Sequence, residues 1–169
     1  MEQEIWKDIE GYEGLYKISS FGNVFSVKRN RLLSEQIDKY GYKYVILSKN
    51  SKPKYFIISR VVATHFISNP ENKPQVDHID RDPLNNHVSN LRWVTKNENS
   101  RNISSHKYST SKYKGVHFDK RHRKWRVQLR INNKNKHLGY FHCEIEAALV
   151  YNKKAKEICG EFALLNDIE

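Results

Sequence analysis

The chain has 169 residues, of which 30 are Lys or Arg and 19 are Asp or Glu, for a formal charge of +11 with histidine neutral. An excess of that size favours a polyanion through counterion release, so nucleic acid is the leading partner and an anionic membrane surface the second. No apolar run approaches the roughly 20 residues of a spanning helix, Met1-Glu2-Gln3-Glu4 lacks the basic start of a signal peptide, and Cys143 and Cys159 are too far apart for a paired zinc site. These features predict a protein of the cytoplasm, with free thiols and no membrane partner.

In chain order, Trp6 to Tyr16 leads into Lys17-Ile18-Ser19-Ser20, and Phe21-Gly22-Asn23 turns the chain into Val24-Phe25-Ser26-Val27. This pattern predicts a β-hairpin. Further β-prone runs at Tyr42–Leu47 and Tyr55–Ile58 flank a polar turn and complete a small antiparallel sheet. Alternating aromatic and β-branched residues are what a small β core needs, so Trp6, Tyr16 and Phe25 are expected inside. Arg60–Phe66 carries apolar residues at helical spacing ahead of Pro70 and Pro74, which predicts a short helix. Within it, His65 is expected to pack or hydrogen-bond rather than bind a ligand.

The stretch Val76 to Asn99 carries the chemistry. Gln75-Val76 and Arg92-Trp93-Val94 are β-prone, and the Asp, Pro and Asn-Asn cluster between them is a loop signature, so the pattern predicts strand, loop, strand. Thr95-Lys96-Asn97-Glu98 fits a capping box that starts a helix, with Asn99 at the end of its first turn. Hard cations such as Mg²⁺ take carboxylate and amide oxygens, often with one or two protein ligands plus substrate phosphate; Asp77 and Asn99 suit that role. Adjacent strand residues point to opposite faces, so His78 is expected to point away from Asp77 as an imidazole able to deprotonate water.

Asp77-His78, Asn90-Leu91-Arg92-Trp93-Val94-Thr95 and Asn99 resemble the HNH nuclease motif in its phage and intron homing-endonuclease form. The resemblance implies His78 as the water-activating base, Asn90 as the structural Asn of the motif, and Asp77 and Asn99 as ligands of Mg²⁺ or Mn²⁺. Many relatives carry Gly after the residue matching Asp80, where this chain has Arg81. Upstream, Trp6, Gly11-Tyr12-Glu13, Tyr16, Ile18-Ser19 and Gly22-Asn23-Val24 resemble the modular segment that precedes the motif in phage homing endonucleases.

Beyond Asn102 the sequence is polar and without periodicity, which predicts a linker over 104–111. Gly115–Phe118, Lys124–Ile131 and Lys136–Phe141 then read as three strands. In the middle one, Trp125, Val127, Leu129 and Ile131 alternate with Lys124, Arg126, Gln128 and Arg130, giving one apolar and one basic face. Glu144–Ile158 places Ala148, Tyr151, Ala155 and Ile158 at helical intervals before Gly160, and so supplies a helix to cover the apolar face. The exposed basic face suits the major groove.

Tyr113-Lys114-Gly115-Val116, Lys124-Trp125, Leu138-Gly139-Tyr140-Phe141, Ala147-Ala148 with Tyr151, and Gly160–Asn166 resemble the AP2 DNA-binding domain. By position, that resemblance implies DNA-facing roles for His117, Asp119, Gln128, Arg130, Asn135 and His137, with Arg126 on the same face. Arg121, Arg123, Lys124 and Lys136 add charge beside them. Asp119 is acidic where the family is usually basic.

The expected fold class is therefore α+β: a β-rich segment over 1–57, a ββα-metal HNH site over 58–103, and an AP2-like sheet packed on one helix over 112–166. The expected function is a metal-dependent endonuclease acting on double-stranded DNA as a monomer, in a bacterial host cell or phage-infected cell. The alternative is a non-catalytic AP2-type DNA-binding regulator that keeps the HNH fold as scaffold; a structural or RNA-binding module is supported by charge alone.

Overall fold

Ile9, Ile18, Val24, Val45, Leu47, Ile58 and Val62 are each at most 2% exposed and form one apolar cluster. Full burial of such a side chain stabilises by about 1.5–3 kcal/mol, so this set determines which faces of the N-terminal elements turn inward. The structure, a computed structural model, describes residues 2–99, 109–131 and 134–168, apart from the Glu161 side chain. The chain divides into two compact units, Met1–Val94 and Thr95–Glu169.

In the first unit, β1 (Trp6–Asp8), β2 (Tyr16–Ser19), β3 (Val24–Ser26) and β4 (Arg31–Leu32) form an antiparallel sheet in chain order. A second sheet joins β5 (Gln36–Ile37), β6 (Lys43–Lys49) and β7 (Lys52–Ile57). Helix α1 (Ile58–Phe66) follows β7 directly and buries Ile58, Val61, Val62 and Ala63. His65 closes onto its surroundings as expected: Nδ1 lies 2.7 Å from the Val61 carbonyl, and Nε2 accepts from the Glu10 N–H at 2.9 Å. The placement of Trp6 in the core needs correction. It is 36% exposed on an edge strand and stacks edge-on against half-buried Phe25, at 6.2 Å between rings. Tyr16 does pack on the core cluster.

A ribbon of β8 (Gln75–His78) and β9 (Leu91–Val94) completes this unit, with Asp77 opposite Arg92 and His78 opposite Leu91. The long loop between the strands ends in a short 3-10 turn at Val88–Asn90.

The second unit opens with α2 (Lys96–Asn99). Its capping box forms: the Thr95 N–H donates to Glu98 Oε2 at 2.6 Å, and the Glu98 N–H donates to Thr95 Oγ1 at 3.2 Å. The linker expected over 104–111 lies outside the described residues up to 108. Strands β10 (Val116–Asp119), β11 (Lys124–Ile131) and β12 (Lys134–Phe141) form an antiparallel sheet. Helix α3 (Glu144–Cys159) covers its apolar side with Ala147, Ala148, Tyr151 and Ala155, packed with Val116, Val127 and Leu129. Among the described residues, no helix is long and apolar enough to cross a membrane.

Candidate active site and basic sheet face

Asp77 and His78 are consecutive on β8, 7% and 6% exposed, and they meet different partners, as strand alternation requires. Asp77 faces across the ladder to Arg92, whose Nε and Nη2 donate to Oδ2 at 3.0 and 2.8 Å. His78 instead places Nε2 3.0 Å from Oδ1 of Asn86, itself buried, with the Tyr42 ring 6.1 Å away.

Asn90 locks the loop that joins the two strands. Its Oδ1 accepts from the Asp80 N–H at 3.0 Å, and its Nδ2 donates to Asp80 Oδ1 and to the Asn85 carbonyl, each at 2.8 Å. Its own carbonyl accepts from the Ile79 N–H. The Asp80 carboxylate takes three donors in all, from the Asp82 N–H, Asn85 Nδ2 and Asn90 Nδ2. Burial pushes the Asp80 carboxyl up, but these bonds and the charge of His78 outweigh it and hold the group below the usual carboxylate range.

Arg81 sits at φ +68°, in the left-handed region that glycine enters without steric cost. A left-handed non-glycine residue costs roughly 1–2 kcal/mol, partly offset by the larger chain entropy that glycine gives the unfolded state. Arg81→Gly is therefore expected to stabilise the first unit by up to about 1 kcal/mol. Chemical denaturation of both proteins checks this, and a lower midpoint for the glycine variant would mean that the Arg81 side chain contributes more than its backbone costs.

A divalent cation fits the donor chemistry of Asp77, with one qualification. Among the described residues, no group of three or more His, Cys, Asp and Glu side chains gathers as a metal cage. A hydrated Mg²⁺ needs only one or two carboxylates plus substrate oxygens. A carboxylate offers two oxygens with about four lone-pair sites, so a guanidinium and a hard cation can share one. Asn99 is the last residue of α2, in the second unit.

On the second unit, strand register sorts the basic residues. Directly opposed residues of an antiparallel pair share a face. Lys124 pairs with Asp119, Arg126 with His117 and Tyr140, Gln128 with His137, and Arg130 with Asn135. All nine therefore lie on the side away from α3. Arg121 and Arg123 occupy the exposed turn between β10 and β11. Lys136 is a correction: it stands opposite Leu129, on the helix side of the sheet. Accordingly Glu157 of α3, whose carboxyl is lowered chiefly by Lys154, is also lowered by the charge of Lys136. The cause is a bulge, since β12 spends one extra residue, Leu138, between the pairs Val127–Gly139 and Gln128–His137.

The polar side chains of this face hold one another. Arg126 Nε donates to His117 Nε2 at 2.6 Å, and burial together with the Arg126 charge pushes the imidazole down, which favours the neutral, accepting form. Asp119 accepts from the His122 N–H at 3.0 Å and receives the Tyr140 hydroxyl at 3.4 Å.

Comparison with known proteins finds matches over the stretches that carry this geometry. The HNH endonuclease family matches residues 58–101, and the NUMOD4 motif matches residues 4–48. Residues 58–101 are thus the HNH endonuclease segment of the chain. It is 46% identical over 100 residues to DNA endonuclease I-HmuI of Bacillus phage SP01, covering 59% of this chain and 58% of that one. It is 35% identical over 100 residues to H-N-H endonuclease F-TflII of Escherichia phage T5, covering 58% and 51%. A solved structure titled "DNA binding and cleavage by the HNH homing endonuclease I-HmuI" superposes with a TM-score of 0.56 at 46% identity, over 60% of this chain and 57% of that one. The chain thus spans little more than half the length of these HNH relatives.

Two partners of the HNH residues were not foreseen from the sequence. Arg92 could have been found, since it lies directly opposite Asp77 once the hairpin register is known. Asn86 gives no signal of its own, because an Asn-Asn pair in a loop reads as turn chemistry.

Proposed function

We propose that this HNH protein is a divalent-metal-dependent DNA endonuclease of homing type, with His78 as general base, Asp77 and Asn99 as metal ligands, and Asn90 as the residue that holds the loop. The observation that carries this is the Asp77-His78 corner: a buried carboxylate and a buried imidazole on opposite faces of a ribbon whose loop Asn90 locks. Within it, His78 accepts a proton from the attacking water, and Asn90 keeps the strand ends in register. Arg92 fixes the Asp77 rotamer and offsets part of its charge. The cation, when bound, polarises the phosphate and neutralises charge that develops on it.

The AP2-like reading of the second unit rests on the sheet-on-helix architecture and on the shared face of Arg126, Gln128, Arg130, His117, His137 and Lys124. In this reading the face grips duplex DNA, and Lys136 takes no part. A chain ending at residue 108 is then expected to bind DNA more weakly and with a flatter salt dependence, since each neutralised phosphate contributes a slope of roughly −0.9. Unchanged slope on truncation would move the footprint to the first unit.

The test of the enzyme is direct. Supercoiled DNA bearing a cleavable site, incubated with Mg²⁺ or Mn²⁺ and with an EDTA control, is expected to give nicked circles before linear product, as a monomer with one site would. Binding without cleavage under any divalent cation would favour the regulator alternative.

A further inference from the structure

The imidazole of His78 has a buried partner outside the recognised motif, and that partner is braced by the N-terminal segment. We infer that Asn86 is a positioning residue for His78: its carboxamide oxygen keeps the ring proton on Nε2, so that the lone pair stands on Nδ1, and Gly22 keeps Asn86 where it can do so. This rests on the reading of His78 as the base.

Three observations converge. Asn86 Oδ1 lies 3.0 Å from His78 Nε2, with the two residues 5% and 6% exposed, so water competes little for either group. A neutral imidazole carries one proton, and the acceptor facing one nitrogen decides which nitrogen holds it. A pure carbonyl acceptor at Nε2 therefore makes Nδ1 the basic nitrogen.

Second, Asn86 Nδ2 is buried and has no hydrogen-bond partner among the described residues. An unpaired buried donor is unfavourable, so an amide at this place is poorly explained by stability alone. It is explained if the oxygen at the other end is required.

Third, the backbone around Asn86 is held from both sides. The Asn85 carbonyl accepts from Asn90, and the Val88 N–H donates to the Ser20 carbonyl of the N-terminal segment at 2.8 Å. Gly22, at φ +91°, lies so close that a Cβ there would sit 2.9 Å from the Asn86 Cβ and 3.3 Å from its carbonyl oxygen. Any side chain at 22 would push Asn86 off the imidazole. The N-terminal segment thereby forms the rear wall of the catalytic loop.

The full-length chain labelled with ¹⁵N-histidine tests this at a pH where the imidazoles are neutral, with the His78 signal assigned by its loss in His78→Ala. The wild type is expected to show His78 protonated on Nε2, and Asn86→Ala to show a mixture of tautomers. With metal and DNA, Asn86→Ala is expected to lower kcat roughly 10²-fold, the scale of a misplaced catalytic group, with KM little changed. Asn86→Asp keeps an oxygen in place and is expected to hold the Nε2 proton and recover most of the rate; Gly22→Ala should behave as Asn86→Ala. A His78 protonated on Nδ1 in the wild type, or a tautomer unmoved in Asn86→Ala, overturns the inference whatever the rates. If Asn86→Ala does not fold, the wild-type and Asn86→Asp spectra decide alone. A tautomer that moves as expected in a protein that cuts no DNA supports the positioning role and instead overturns the nuclease reading.

Discussion

His78→Ala is expected to bind duplex DNA within a few-fold of the wild type and to cut it roughly 10²–10⁴ times more slowly, the usual contribution of a positioned general base. An imidazole that accepts a proton from water adds little ground-state affinity, so rate and binding should separate. Asp77→Ala should differ on two counts. It removes a carboxylate from the proposed cation site, which has few protein ligands, so the response to Mg²⁺ concentration should vanish along with the rate. It also leaves the Arg92 guanidinium, with its side chain 16% exposed, without the Asp77 partner it holds at 2.8 Å. Breaking a buried pair from one side costs roughly 3–5 kcal/mol, so Asp77→Ala should melt well below His78→Ala, and Asp77→Asn should recover much of the stability but not the metal response. Gel assays of nicking across a metal titration, read beside thermal melts, separate these effects. A His78→Ala protein that cuts at the wild-type rate would remove the imidazole from the mechanism.

Gly115→Ala is expected to unfold most of the second unit while leaving the first intact. The glycine sits at φ +74°, and an added Cβ would lie 2.2 and 2.3 Å from two ring carbons of Tyr151 and 2.6 Å from the Gln128 carbonyl oxygen. The ring cannot swing clear, because Tyr151 is 3% exposed inside the cluster between the sheet and α3. Left-handed backbone costs roughly 1–2 kcal/mol and overpacking roughly 1–3 kcal/mol, a large share of what a unit of this size holds at about 0.05–0.15 kcal/mol per residue. Gly14→Ala provides the control, since Gly14 is also left-handed at φ +68° but has nothing within 4 Å of the added carbon. Hydrogen exchange read by peptide should show protection lost over 112–168 in Gly115→Ala and kept in Gly14→Ala. Equal protection in both would mean that Tyr151 repacks freely.

What was legible in the sequence was what short-range chemistry determines. The capping box at Thr95 and Glu98, the alternation along β11 and the heptad-like spacing of Ala148, Tyr151 and Ala155 each depend on residues within a turn or two. The turn-forming Asp and Asn residues of the loop belong to the same class. Two-residue strands such as β4 and β5 were not legible, because two residues carry no periodicity. Trp6 was misread because a hydrophobic residue on an edge strand has the same local pattern as one inside. Asn86 was hidden for a different reason: its partners, His78 and Gly22, come from other segments, and only the fold brings them together.

The bulge in β12 decides which side chains the outer half of the sheet turns outward. Pairing steps from Val127–Gly139 to Gln128–His137, and beyond that step Asn135 and His137 face one way while Lys136 faces the other. Closing the bulge with every residue retained would set Leu138 opposite Gln128 and Lys136 opposite Arg130, and so turn the outer half of the strand over. Lys136 would then join Arg126 on the outer face in place of Asn135 and His137. A one-residue slip of register can thus exchange the outward side chains of this half-strand together, a step that no single point substitution makes.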